Sequence, residues 1–169
     1  MRKRFADLDQ TWPAGLGRRL GAMIYDALIL MAIWMLLGFV AVAMNGGEAN
    51  TSPLFHSVLF VATFAFFAFF WMRGGMTLGM QAWRLRVETP EGLSLTLPQC
   101  LMRFLVAGLS FAALGLGYWW VLIDGERRGW SDIASGSRVV VVPKSGKNKP
   151  GKNKSGKNKP GKNEPGKQA

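Results

Sequence analysis

The chain has 169 residues, a formal net charge of +11, one cysteine and one histidine. Such a charge suggests a nucleic-acid binder, but nine lysines against one acid lie from Lys144 onward, which leaves only +3 for residues 1–143. Cys100 alone excludes an intrachain disulfide and His56 alone removes most zinc constellations, so no cofactor or metal site is expected.

The clustering of apolar residues decides the class. The N-terminus, "MRKRFADLDQTWPAGLGRR", is polar and basic and is interrupted by Trp12-Pro13. The run from Gly21 to Met44 then carries one charge, Asp26, and the run from Leu54 to Met72 carries none. Each meets the requirement of about 20 residues for a helix across ~30 Å of hydrocarbon. The "AVA" of Ala41 to Ala43 has the form of a signal cleavage site. The stretch before it is twice the length of a signal core and carries an acid, so it reads as an uncleaved first span. Arg2, Lys3, Arg4, Arg18 and Arg19 precede that span, whereas the loop "NGGEANTSP" holds only Glu48. The excess of positive charge puts the N-terminus in the cytoplasm and the loop outside. The second span contains seven phenylalanines, read as facing lipid and neighbouring helices. Trp12 and Trp71 suit the cytoplasmic interface.

After the second span, Gly74-Gly75 reads as a turn and Thr77 as the cap of a short helix. "WRLRVETPEGLSLT" alternates around a Pro-Glu-Gly turn, as a β-hairpin does. A third apolar run, Leu101 to Ile123, is broken by Arg103, Gly108, Gly115 and Gly117. The β-branched run "SRVVVV", Ser137 to Val142, needs a partner, because a lone strand is unstable, and "LRVE" is the candidate. A single crossing by the third run would separate the two strands. A re-entrant or interfacial hairpin bent around Ser110 to Gly117 keeps them together, so two full spans plus this hairpin are preferred to three spans. The fold class is an all-α membrane protein with a small cytoplasmic β element. The last residues, Lys144 to Gln168, hold five copies of a pentapeptide, [KE]-[SP]-G-K-[NQ]. Like charges without apolar residues predict disorder for this tail. Its lysines are candidates to bind anionic lipid. Specific nucleic-acid binding is not expected, since no aromatic residues are interleaved to stack on bases. A solvated tail that reinforces orientation is an equal reading.

Arg19, Asp26, "RGGMTLGMQAWRLRV" and "LIDGERRGWSDIASGSRVVVV", in this order, resemble the RDD family of small bacterial membrane proteins, named for one arginine and two aspartates. The resemblance covers about residues 14–142. Residues 1–13 then form a cytoplasmic N-terminal segment, 14–143 the membrane domain and 144–169 the tail. By position, the family arginine is Arg19, the first aspartate Asp26 and the last Asp132, with Asp124 also matching an acidic position. The resemblance implies a multi-pass protein of the cell inner membrane, with transport, cation–proton exchange included, as its suggested activity.

A carboxylate within a span costs about 2.5–3.5 kcal/mol on insertion scales, so Asp26 is expected to be partnered or functional. Arg19 lies seven residues earlier, about 10 Å along the axis, and its side chain leans away toward the interface, so no direct contact is expected. Arg103 lies at a comparable depth in the third run, and an intramembrane Asp26–Arg103 pair that docks the hairpin onto span one is expected. Structural docking is one role for Asp26; binding a proton or cation during transport is the other. Asp124, Glu126 and Asp132, with Arg127 and Arg128, read as local salt bridges and caps. "GGMTLG" lacks the Lys-Ser/Thr of a P-loop, and Ser110 has no nucleophile-elbow context, so no enzyme is expected. The functional expectation is movement of an ion or small solute by a homo-oligomer in the lipid bilayer. The alternative is a noncatalytic adaptor or assembly factor whose cytoplasmic face and tail bind a partner.

Overall fold

The computed structural model describes residues 2–143. The tail, with its predicted disorder and lipid contact, lies outside the described residues. The chain is mostly helical, with two candidate membrane spans, a bent helix pair and a three-stranded sheet. Helix α1 runs from Leu16 to Met44 and α2 from Pro53 to Arg73. At 1.5 Å per residue α1 is ~44 Å long and α2 ~32 Å, so both are long enough to cross a hydrocarbon layer. Ser52 caps α2 by accepting from the Phe55 N–H at 3.2 Å, and Pro53 follows in its first turn, where a missing N–H costs nothing. Midway along, Trp34 Nε1 donates to Thr63 Oγ1 at 3.0 Å and ties the two helices together.

The buried residues of these helices all lie toward one end. They are Arg19, Ala22 and Asp26 at the start of α1, and Ala68 and Trp71 at the close of α2. At this end the chain turns at Gly74-Gly75, forms the short helix α3 (Leu78–Ala82) and enters β2 (Leu85–Glu88). The Thr77 hydroxyl accepts from the Met80 N–H at 3.2 Å, which caps α3 in the predicted way.

The sheet has strand order β1-β3-β2, all antiparallel, with β1 at Trp12–Pro13 and β3 at Arg138–Val141. "LRVE" pairs with "RVVV" as expected, Leu85 opposite Val141 and Glu88 opposite Arg138. The predicted hairpin does not form a second strand beside β2, because that edge is already taken. The Val87 N–H donates to the Gly75 carbonyl at 2.7 Å, and Gly75, at φ +70°, leaves no room for a Cβ, which would sit 2.4 Å from the Val87 oxygen. The turn after β2 is instead held by the N-terminal segment. Phe5 N–H donates to Gly92 O and Ser94 N–H to Lys3 O, both at 2.8 Å, and Arg4 forms an isolated bridge with Leu93. Trp12, assigned to the membrane interface from sequence, is a strand residue paired with Val141.

The third apolar run is bent where its glycines are. Helix α4 (Leu97–Ala112) begins at Thr96, whose N–H donates to Gln99 Oε1 at 3.0 Å, in a capping box. Leu114 and Gly115 take left-handed φ of +56° and +78°, and α5 (Leu116–Trp119) with the following 3-10 turn departs at 107° to α4. The two arms meet closely, since a Cβ at Gly117 would lie 2.3 Å from Ser110 Oγ. Helix α4 lies on α2 through edge-on and tilted packing of Phe60, Phe64 and Phe67 around Phe104, with ring centroids 5.4–6.1 Å apart. A last short helix, α6 (Trp130–Ala134), leads into β3.

Candidate functional site

Charged side chains converge beneath the spans because three elements end there. Asp132 in α6 is fully buried. Its Oδ2 accepts from Arg19 Nη1 at 2.5 Å and from the Gly129 N–H at 3.0 Å, and its Oδ1 accepts from Arg103 Nη1 at 2.5 Å. Arg103, on α4, also donates to Ser137 Oγ at 2.7 Å and lies 5.3 Å from the Trp71 ring. Arg19 donates further from Nε to Ala14 O and from Nη2 to Arg127 O, at 3.2 and 2.7 Å. Arg127 adopts φ +55°, a conformation uncommon outside glycine, and this turn presents its carbonyl to Arg19. One carboxylate therefore joins α1, α4 and α6. Burial acts to raise the Asp132 pKa, but the Arg103 and Arg19 charges, with the Gly129 N–H, outweigh it and hold the carboxyl below its ordinary value.

Asp26 occupies a separate site on α1. Its Oδ2 accepts from Thr77 Oγ1 at 2.5 Å and its Oδ1 from the Gly79 N–H at 2.8 Å. The approach is close because both surfaces are small: a Cβ at Gly79 would sit 2.3 Å from Ala22 O, and one at Gly21 would sit 2.4 Å from Trp83. The expected Asp26–Arg103 pair is not formed. Both residues lie toward the same end of the molecule, as their depth predicts, but depth says nothing about direction around a helix. Helix α3 covers the face of α1 that carries Asp26, while α4 turns Arg103 toward α6. Asp26 and Arg19 make no contact with each other, and the partner of Arg19 is Asp132, 113 residues away.

Asp124 lies outside this cluster. It accepts from the Arg128 backbone N–H at 2.9 Å and from Arg128 Nε at 3.2 Å, and Glu126 also pairs with Arg128. The structure adds a second buried network. Arg86 donates to both oxygens of Asp7 at 2.8 and 3.0 Å and to Glu88 at 2.9 Å, and the fully buried Glu88 accepts from Arg138 at 2.8 Å. The available signal was the register of "LRVE" against "SRVVVV", which sets Glu88 opposite Arg138 once the strands pair. Among the described residues, no group of three or more His, Cys, Asp or Glu comes together as a metal site.

The sequence model of the RDD family matches residues 13–136, most of the chain, including every residue described at the Asp26 and Asp132 sites except Ser137. The chain belongs to the RDD family. No curated protein and no solved structure matches it. Within this RDD chain, Arg19 and Asp132 form one ion pair, with Arg103 added as a second cation, while Asp26 fastens α3 to α1. Together with the apolar helices, the family makes this a membrane protein.

Proposed function

We propose that this chain is a noncatalytic membrane module that assembles laterally with other membrane helices, further copies of itself included, and holds a small folded headpiece at the cytoplasmic face of the inner membrane. The observation that carries this reading is how little of the spans the chain covers by itself. Only 6% of the most apolar stretch of α1 and 11% of that of α2 are buried within the chain. A helix pair so open needs lipid or protein along most of its length, and close helix packing in membranes is driven by contact rather than by water exclusion. The carboxylate oxygens of Asp26 and Asp132 are all engaged by donors of the same chain, which suits a lock rather than an open site. Positive charge before α1 and after α2 supports a cytoplasmic headpiece, with the bent α4–α5 pair returning to the same side. The test is cross-linking and pull-down of the intact chain from membranes. A defined oligomer or partner set that survives Asp26→Asn is expected, and a strictly monomeric chain without partners would refute the reading.

Ion or solute movement is the second reading, and one observation favours it. Asp26 lies in a span and, among the described residues, has a hydroxyl and an amide as partners but no cation. A carboxylate so placed is suited to exchange a proton or small cation, with further acids supplied by neighbouring copies. Reconstituted vesicles distinguish the two: flux lost in Asp26→Asn at unchanged protein level supports transport, and absence of flux in the wild-type chain refutes it.

A further inference from the structure

Where α2 ends, a cleft of about 440 Å³ opens between its last turn and the N-terminal segment. It is walled by Phe69 and Phe70 of α2 on one side and by Lys3, Phe5 and Arg86 on the other, with Arg73 at its rim. The volume falls within the usual range for small-ligand sites. None of its lining residues is acidic. Arg86 is neutralised by Asp7 and Glu88, but Lys3 and Arg73 form no ion pair among the described residues. Both cations are positioned by aromatic rings: Lys3 Nζ lies 5.8 Å from the Phe5 ring and the Arg73 guanidinium 5.5 Å from the Phe69 ring.

The cleft is thus positive at its polar end. Its apolar wall continues onto the span, because Phe69 is 54% exposed on the side of α2 that faces out of the chain. Its height is that of the membrane interface, since Arg73 is the last residue of an apolar helix. We propose that this cleft binds the headgroup of an anionic phospholipid, with the phosphate between Lys3 and Arg73 and the acyl chains laid along Phe69 of α2. A free phosphate shares the charge but has nothing to place on the phenylalanines, and a zwitterionic headgroup brings its own cation to the positive end.

The experiment uses the full chain in detergent micelles and reads bound lipid by native mass spectrometry and unfolding temperature. Phosphatidylglycerol, phosphatidylcholine and inorganic phosphate are titrated separately. The expected result is saturable retention of phosphatidylglycerol and a rise in unfolding temperature. Affinity should fall about five-fold for each cation removed, so roughly 25-fold in Lys3→Gln/Arg73→Gln. Two controls keep the result specific. Arg4→Ala/Arg18→Ala removes the same charge elsewhere near the membrane and should bind nearly as the wild type does, with the tail intact in both. Lys3→Arg/Arg73→Lys preserves charge and should retain the lipid. The proposal is overturned if the Gln pair binds as the wild type does, if either control loses as much as the Gln pair, or if phosphatidylcholine binds equally. It is also overturned if inorganic phosphate reproduces the effect with the same dependence on Lys3 and Arg73, which would make this a small-anion site.

Discussion

Replacing Asp132 by Asn removes the only negative charge, among the described residues, that pairs with the buried Arg19 and Arg103 guanidiniums. Asp132 is fully buried, and Arg19 and Arg103 are 8% and 7% exposed, so little water can compensate. An Asn carbonyl in the place of Oδ2 can still accept from the Gly129 N–H and from Arg19, but its amide then turns two donors toward Arg103, which has only donors to offer. Breaking one half of a buried pair typically costs about 3–5 kcal/mol, and here one substitution removes the counter-charge of two cations. A loss at or above the upper end of that range is expected, comparable with the whole stability of many domains. The assay is the unfolding temperature in detergent, together with the amount of folded chain recovered from membranes. Asp132→Asn/Arg103→Met should recover part of the loss, because the uncompensated charge falls with the carboxylate. The cluster also makes an acid-side prediction. A carboxyl held below its ordinary pKa in the folded chain contributes stability that is complete above the unfolded value, near 4. That contribution is lost as the pH falls through the depressed folded value. The wild type should therefore lose stability below about pH 4, and Asp132→Asn should lose this part of the acid dependence. An Asp132→Asn chain within about 1 kcal/mol of the wild type, with an unchanged acid limb, would refute the idea that this carboxylate joins α1, α4 and α6; that threshold is about the average effect of a point substitution.

Other substitutions test the remaining contacts. Thr77→Val deletes the hydroxyl that donates to Asp26 and caps α3, and should destabilise by about 1–3 kcal/mol while Thr77→Ser stays near the wild type, both read by unfolding temperature. Gly117→Ala must displace Ser110 and should lower the unfolding temperature by an overpacking cost of about 1–3 kcal/mol, whereas Gly108→Ala, which meets nothing within 4 Å, should leave it unchanged or raise it. Gly79→Ala should separate α3 from α1, because its Cβ would meet backbone at Ala22, and weakened protection of the α3 amides in hydrogen exchange is the readout. With Cys100 replaced, Glu48→Cys should react with an impermeant thiol reagent in intact cells and Glu91→Cys should react only after lysis. The reverse pattern would overturn the proposed orientation.

The features legible in the amino-acid order are those decided by local composition or by strict backbone requirements. Long uncharged runs specify α1 and α2, because hydrocarbon admits little else. Glycines at 115 and 117 mark the bend after α4, and the need of "RVVV" for a strand partner leads to β2. Direction around a helix axis was not legible, and it decides which charges meet. Asp26 and Arg103 lie toward the same end of the molecule, yet α3 docks on one face of α1 through Gly79 and Ala22, and Arg103 is drawn to Asp132. The pairing of Lys3 and Phe5 with the turn after β2 was equally hidden, because it depends on Gly75 having already occupied the free edge of that strand. Contacts between residues 51, 91 and 113 positions apart are selected by packing and by the satisfaction of buried donors, which only the assembled tertiary structure brings together.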